Sequence, residues 1–122
     1  MKILIVEDDK DTLTLIHHYL KDTEFEVITC RRGDEALDIV IKEKPDLAII
    51  DGLLPGIHGF ELCKMIKEEK SLKKHPKVMI MSSVYKGIKY KAEVIDKFKA
   101  DDYIMKPIKK PELLEKIDKL LK

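Results

Sequence analysis

Short unbroken apolar runs alternate with helically spaced apolar residues along the chain. Ile3-Leu4-Ile5-Val6, after Lys2, is the first run. Leu47-Ala48-Ile49-Ile50 and Val78-Met79-Ile80-Met81 are of the same kind. Runs of this length between turn residues fit strands covered on both faces. Phe25 to Thr29 reads as another strand, with Phe25, Val27 and Thr29 alternating against Glu26 and Ile28. Tyr103-Ile104-Met105 is a short fifth strand.

Helical spacing fills the intervals. Leu13, Ile16 and Leu20 share one face of a first helix, whose acidic start suits the helix dipole. Gly33-Asp34 opens a second helix, with Ala36, Leu37, Val40 and Ile41 apolar, and Pro45 ends the connection. A third carries Phe60, Leu62, Cys63 and Ile66 inward. A fourth spans roughly Tyr85 to Lys99, with Ile88, Ala92, Ile95 and Phe98 in phase. Pro111 suits the first turn of a fifth, which presents Leu113, Leu114, Ile117, Leu120 and Leu121. Five βα units in strict alternation predict an α/β fold, a doubly wound five-stranded parallel sheet with five helices. The last helix reaches the last residue, so residues 1–122 are expected to form a single domain.

Composition narrows the class. A chain of 122 residues, 44% hydrophobic, can bury a core without disulfides or metal. The 24 basic and 23 acidic residues nearly cancel, giving a net charge of +1 and no global attraction to nucleic acid or anionic membrane. No segment approaches the ~20 apolar residues of a membrane span, and the opening run Ile3 to Val6 is too short for the apolar h-region of a signal peptide. Cys30 and Cys63 lack metal-ligand spacing and read as reduced core thiols. The expected location is cytoplasmic.

Chemistry concentrates just after the strands. Parallel strands joined by right-handed crossovers end on one edge, where open α/β sheets bind ligands. That edge should collect Glu7, Asp8 and Asp9, then Asp51, Ser82 and Lys106. Crowded carboxylates raise one another's pKa unless a cation neutralises them. Mg²⁺, a hard ion taking oxygen ligands, is the natural candidate. Asp51 follows the central run at once, and Gly52, Pro55 and Gly56 then break the pattern. An aspartate can act as a covalent nucleophile toward phosphorus. Lys106 would pair with Asp51 or with a phosphoryl group on it, and Ser82 would donate to a phosphoryl oxygen. Asp9 reads as a helix cap rather than a ligand. His17, His18, His58 and His75 share no spacing and read as surface residues.

Four motifs carry a family resemblance over the whole chain. They are Ile3-Leu4-Ile5-Val6-Glu7-Asp8-Asp9; Pro45-Asp46 through Asp51, with Leu54-Pro55 and Gly59; Met81-Ser82; and Ala100-Asp101-Asp102-Tyr103 with Lys106-Pro107. In this order and spacing the chain resembles the CheY-like receiver domain of two-component response regulators. The resemblance implies the flavodoxin-like receiver fold with strand order 2-1-3-4-5. It implies that Asp51 accepts a phosphoryl group from the phosphohistidine of a histidine kinase or a phosphotransfer protein. Asp8 would bind Mg²⁺ directly, Glu7 through water, and the Leu53 carbonyl would complete the protein ligands alongside Asp51. Ser82 and Tyr103 would form the switch, and Lys106 would pair with the phosphoryl group. The Lys106-Pro107 bond is typically cis in this family. Tyr103 also fits a half-buried strand aromatic. Slow autophosphorylation from small donors and autodephosphorylation would be the only enzymatic activities. The downstream target is unspecified, and a homodimer through the last two helices is compatible with the sequence.

Several positions depart from the family pattern. His58-Gly59 replaces Asp-Gly, Ser83 stands where a small Ala or Gly is common, and Lys99 stands where a glycine often closes the fourth helix. The Ser82-to-Tyr103 segment is about two residues longer than expected, on the surface with Tyr85, Lys86, Lys89 and Tyr90 where family members usually signal. Two other readings compete. A receiver-fold interaction module without phosphorylation would not need the intact acidic set, Ser82 and Lys106. Enzymes on related folds fit worse. A phosphatase of the haloacid dehalogenase type wants an aspartate where Leu53 stands, and a flavodoxin wants a phosphate loop where Glu7-Asp8-Asp9 would repel the flavin phosphate.

Overall fold

A computed structural model gives the fold, and the structure describes residues 1–83 and 98–122. The strands are β1 (Lys2–Val6), β2 (Glu26–Cys30), β3 (Leu47–Asp51), β4 (Lys77–Ser82) and β5 (Asp102–Met105). Helices α1 (Lys10–Leu20), α2 (Gly33–Glu43), α3 (Gly59–Glu68) and a C-terminal helix (Lys110–Leu121) lie among the described residues. The helix expected from Tyr85 to Lys99, and the surface bearing Tyr85, Lys86, Lys89 and Tyr90, fall almost entirely outside them. All pairings are parallel, in the order β2-β1-β3-β4-β5. This is the doubly wound sheet expected.

The β-branched runs become strands because both of their faces are covered. Even-numbered Leu4, Val6, Ala48, Ile50, Val78 and Ile80 pack with α2 and α3 residues such as Val40 and Ile66. Odd-numbered Ile3, Ile5, Leu47, Ile49, Met79 and Met81 pack against Ile16 and Leu20 of α1 and Leu113 and Ile117 of the C-terminal helix. Burying each large side chain contributes about 1.5–3 kcal/mol. β2 differs from its expected clean alternation. It is an edge strand shifted by one residue, and Val27 and Ile28 are both half-buried, one toward each layer. Cys30 and Cys63 are buried free thiols, as expected.

The ends are fixed by local chemistry. Asp9 caps α1, its carboxylate accepting the Thr12 N–H at 3.1 Å and the Thr12 hydroxyl at 2.6 Å. Lys44 closes α2 in the left-handed region at φ 50, with its N–H on the Val40 carbonyl at 2.9 Å. Lys99 adopts φ 65. The lysine therefore takes the conformation that glycine would have supplied more cheaply.

The register places the chemistry. Val6 pairs with Ile50, Asp51 with Met81, and Ser82 with Met105, so four strands end on one edge. The loop after β3 folds back tightly. Gly59 N–H donates to the Gly52 carbonyl at 3.0 Å, and a Cβ on Gly59 would overlap the Asp51 carbonyl.

Candidate functional site

Glu7 continues β1 beyond its last residue, with its N–H on the Cys30 carbonyl at 3.0 Å. Its side chain is fully buried. One carboxylate oxygen accepts the Asp9 N–H at 3.1 Å, and the other meets Lys106 Nζ at 2.5 Å. Asp8, next in the chain, is exposed. Asp51 ends β3 and is buried, with Oδ1 3.4 Å from the Leu53 nitrogen and Oδ2 3.5 Å from Lys106 Nζ. Glu7, Asp8 and Asp51 each offer an oxygen, and the three lie within 4.8 Å of one another.

Ser82 ends β4 and is buried. Lys106 follows β5, its N–H on the Ser82 carbonyl at 2.8 Å, and the Lys106-Pro107 bond is cis as expected. That bond to Ser82 carries the β4–β5 ladder one residue further and brings the lysine to the acidic cluster. Lys106 was expected beside Asp51, and its shorter contact is with Glu7. Tyr103 is only 8% exposed and belongs to the core layer of Val6 and Ile80. Ser83 is exposed. All four histidines are exposed, and none contributes to the acidic group. His58 precedes α3 without a side-chain capping bond, at a position where aspartate is among the preferred residues.

The electrostatics follow from burial. Loss of solvent pushes the Glu7 carboxyl up from 4.5 to about 7. The Lys106 hydrogen bond opposes this, and the neighbouring Asp51 carboxylate reinforces it. Burial alone would lower Lys106, but its bond to Glu7 and the charge of Asp51 outweigh it and hold the ammonium above its ordinary value. Thr12 holds Asp9 below the usual carboxylate range.

An all-oxygen donor set of three acids suits a hard divalent cation. The cluster already draws in the Lys106 ammonium, which bridges Glu7 and Asp51. The residues present therefore fit Mg²⁺. Sequence reasoning missed Arg31, whose guanidinium donates to the Asp8 carbonyl at 3.0 Å. An arginine after an edge strand carries no signal until the fold sets it beside β1.

A doubly wound sheet with acids, a hydroxyl and an ammonium converging on its carboxyl edge is an arrangement suited to accepting a phosphoryl group on a carboxylate. Comparison with known proteins gives the family. The model of the response regulator receiver domain matches residues 3–118. The chain is 34% identical over 122 residues to the phosphate regulon transcriptional regulatory protein PhoB of Rhizobium meliloti, covering 99% of this chain and 52% of that protein. It is 32% identical over 119 residues to the polar-differentiation response regulator DivK of Brucella anthropi, covering 98% and 94%. The receiver domain of Klebsiella pneumoniae RstA superposes with a TM-score of 0.88 at 30% identity, over 100% of this chain and 99% of that one. The chain belongs to the response regulator receiver domain family, whose role is phosphorylation-dependent switching in two-component signal transduction. Such domains are response regulators rather than classical enzymes. The chain spans about half the length of the first curated relatives it matches, at 52%, 48% and 52%. No helix among the described residues is long and apolar enough to cross a membrane.

Proposed function

We propose that residues 1–122 act as one receiver domain in which Asp51 is the phosphoryl acceptor. The observation that carries this is the convergence of Glu7, Asp8 and Asp51 within 4.8 Å, with Lys106 against them. A carboxylate oxygen of Asp51 attacks phosphorus in line. The P–N bond of the donor phosphohistidine breaks, and its electron pair returns to the imidazole nitrogen. The product is an acyl phosphate on Asp51. Glu7, Asp8, Asp51 and the Leu53 carbonyl would hold Mg²⁺, which would supply neutralisation of phosphoryl charge. Lys106 transfers its ion pair to the phosphoryl group, and the Ser82 hydroxyl donates to a phosphoryl oxygen. Ser82 and the buried Tyr103 then form the switch that a partner reads.

The donor is a histidine kinase or phosphotransfer protein of the cytoplasm, and the reader is an output domain, a separate target or a second copy of the chain. Slow phosphorylation from small donors and slow hydrolysis of the acyl phosphate are the domain's own activities. The test is incubation with acetyl phosphate and Mg²⁺, followed by intact-mass measurement. The wild type should gain one phosphoryl mass and Asp51→Asn none. No gain in the wild type, or equal gain in both, rejects the assignment.

A further inference from the structure

The turn that leads from Cys30 at the end of β2 through Arg31 and Arg32 to Gly33 at the start of α2 touches both loops that carry the candidate ligands. On one side, Arg31 donates to the Asp8 carbonyl at 3.0 Å, and the preceding Cys30 carbonyl accepts the Glu7 N–H at 3.0 Å. On the other side, Gly33 N–H donates to the Pro55 carbonyl at 3.1 Å. Gly33 lies so close to that loop that a Cβ there would overlap the Ile57 carbonyl. The turn itself is braced. Arg32 forks onto Asp34 at 2.9 and 3.2 Å, and the Cys30 thiol meets the Arg32 carbonyl at 3.1 Å. Asp34 in turn abuts Gly56, where a Cβ would stand 2.6 Å from its Oδ1.

We infer that this turn sets the relative position of the two ligand-bearing loops, with Arg31 the positioning residue for Asp8 and Gly33 the positioning residue for the loop after Asp51. The inference rests on the reading of Glu7, Asp8 and Asp51 as metal ligands. Asp8 is the exposed member of the three. Its neighbours are anchored by the contacts of Glu7 and the cap of Asp9, and Arg31 fixes the peptide between them. Groups that orient metal ligands from behind change affinity by about 10–100-fold when removed. Charge works in the opposite sense. Removing a guanidinium beside a divalent cation site favours binding, and salt screens that contribution while leaving the positioning effect.

The experiment measures Mg²⁺ affinity of the unphosphorylated protein by calorimetry at low and high salt. At high salt, Arg31→Met should weaken Mg²⁺ about tenfold with an unchanged melting temperature. Gly33→Ala should also weaken it, through displacement of the Ile57 segment. In the metal-free protein, amide resonances of Asp8 and Asp9 should move in Arg31→Met, and those of Leu53 to Ile57 in Gly33→Ala. An unchanged high-salt affinity in Arg31→Met overturns the inference and leaves the metal site standing. So does an effect of Arg31→Met seen only at low salt. If the wild type itself fails to bind Mg²⁺ at millimolar concentration, the metal site and the inference fall together.

Discussion

Lys106 Nζ sits 2.5 Å from Glu7 Oε1, on a carboxylate with no solvent exposure. The lysine that follows the last strand thus neutralises the acid that follows the first, across the whole width of the site. In the metal-free protein this ammonium is the counterion of the acidic cluster. Any divalent cation that enters must share or replace it.

The stability of the metal-free protein should fall as pH rises toward neutrality. Glu7 titrates at about 7 when folded against 4.5 as the ordinary value. Where its folded pKa is raised, the folded state holds a proton that the unfolded state has released. The stabilisation is complete below 4.5 and is lost as pH climbs through about 7. Melting curves in chelator should show this decline, and Glu7→Gln should flatten it. Mg²⁺ should restore stability more at alkaline than at acid pH, because ligands bind deprotonated. A rising curve through this window would contradict the assignment.

Lys106→Met should leave a buried acid without its cation. The expected cost is about 3 kcal/mol above neutral pH, shrinking as Glu7 takes up a proton in acid. Urea unfolding at two pH values measures both the cost and its pH dependence. Equal costs at the two values would show that the lysine stem, not its charge, supplies the stability.

Gly59→Ala should damage the site through the backbone. A Cβ there meets the Asp51 carbonyl, so the loop or the strand end must shift. Overpacking of this kind costs about 1–3 kcal/mol. Because the displaced group is Asp51 itself, mass gain from acetyl phosphate should slow even at temperatures where the variant is folded.

Lys44→Gly and Lys99→Gly should each stabilise the protein by about 0.5–1 kcal/mol, since both lysines hold positive φ. The greater freedom of glycine in the unfolded chain offsets part of the gain. Thermal melts check the sign, and a loss at Lys44 would mean that its side chain contributes contacts worth more than the strain.

The strands were legible because a buried parallel strand leaves an unbroken apolar run, as Ile3–Val6 and Leu47–Ile50 do. β2 was less so. An edge strand is only half covered, and Val27 and Ile28 answer to opposite layers, which blurs the expected alternation. The acids, Ser82 and Lys106 were legible as a group because parallel topology sends every strand end to one edge. Partner choice within the group was not. Lys106 favours Glu7 over Asp51 because Glu7 lies deeper, and depth is not written in spacing. Arg31 and the close approach of Gly33 to Ile57 escaped notice for a related reason: both depend on the distance between two turns far apart in sequence.

The division of β1, β3 and β4 into even residues on one side and odd residues on the other constrains how such a chain can vary in length. One residue added or removed inside any of these strands would send the remainder of that strand's side chains into the opposite layer, and large isoleucines would face helices shaped for other partners. Length change is therefore confined to the joints between strands and helices. A joint can grow without disturbing which layer any side chain enters, so new binding surfaces can be grafted there while the phosphoacceptor edge keeps its register.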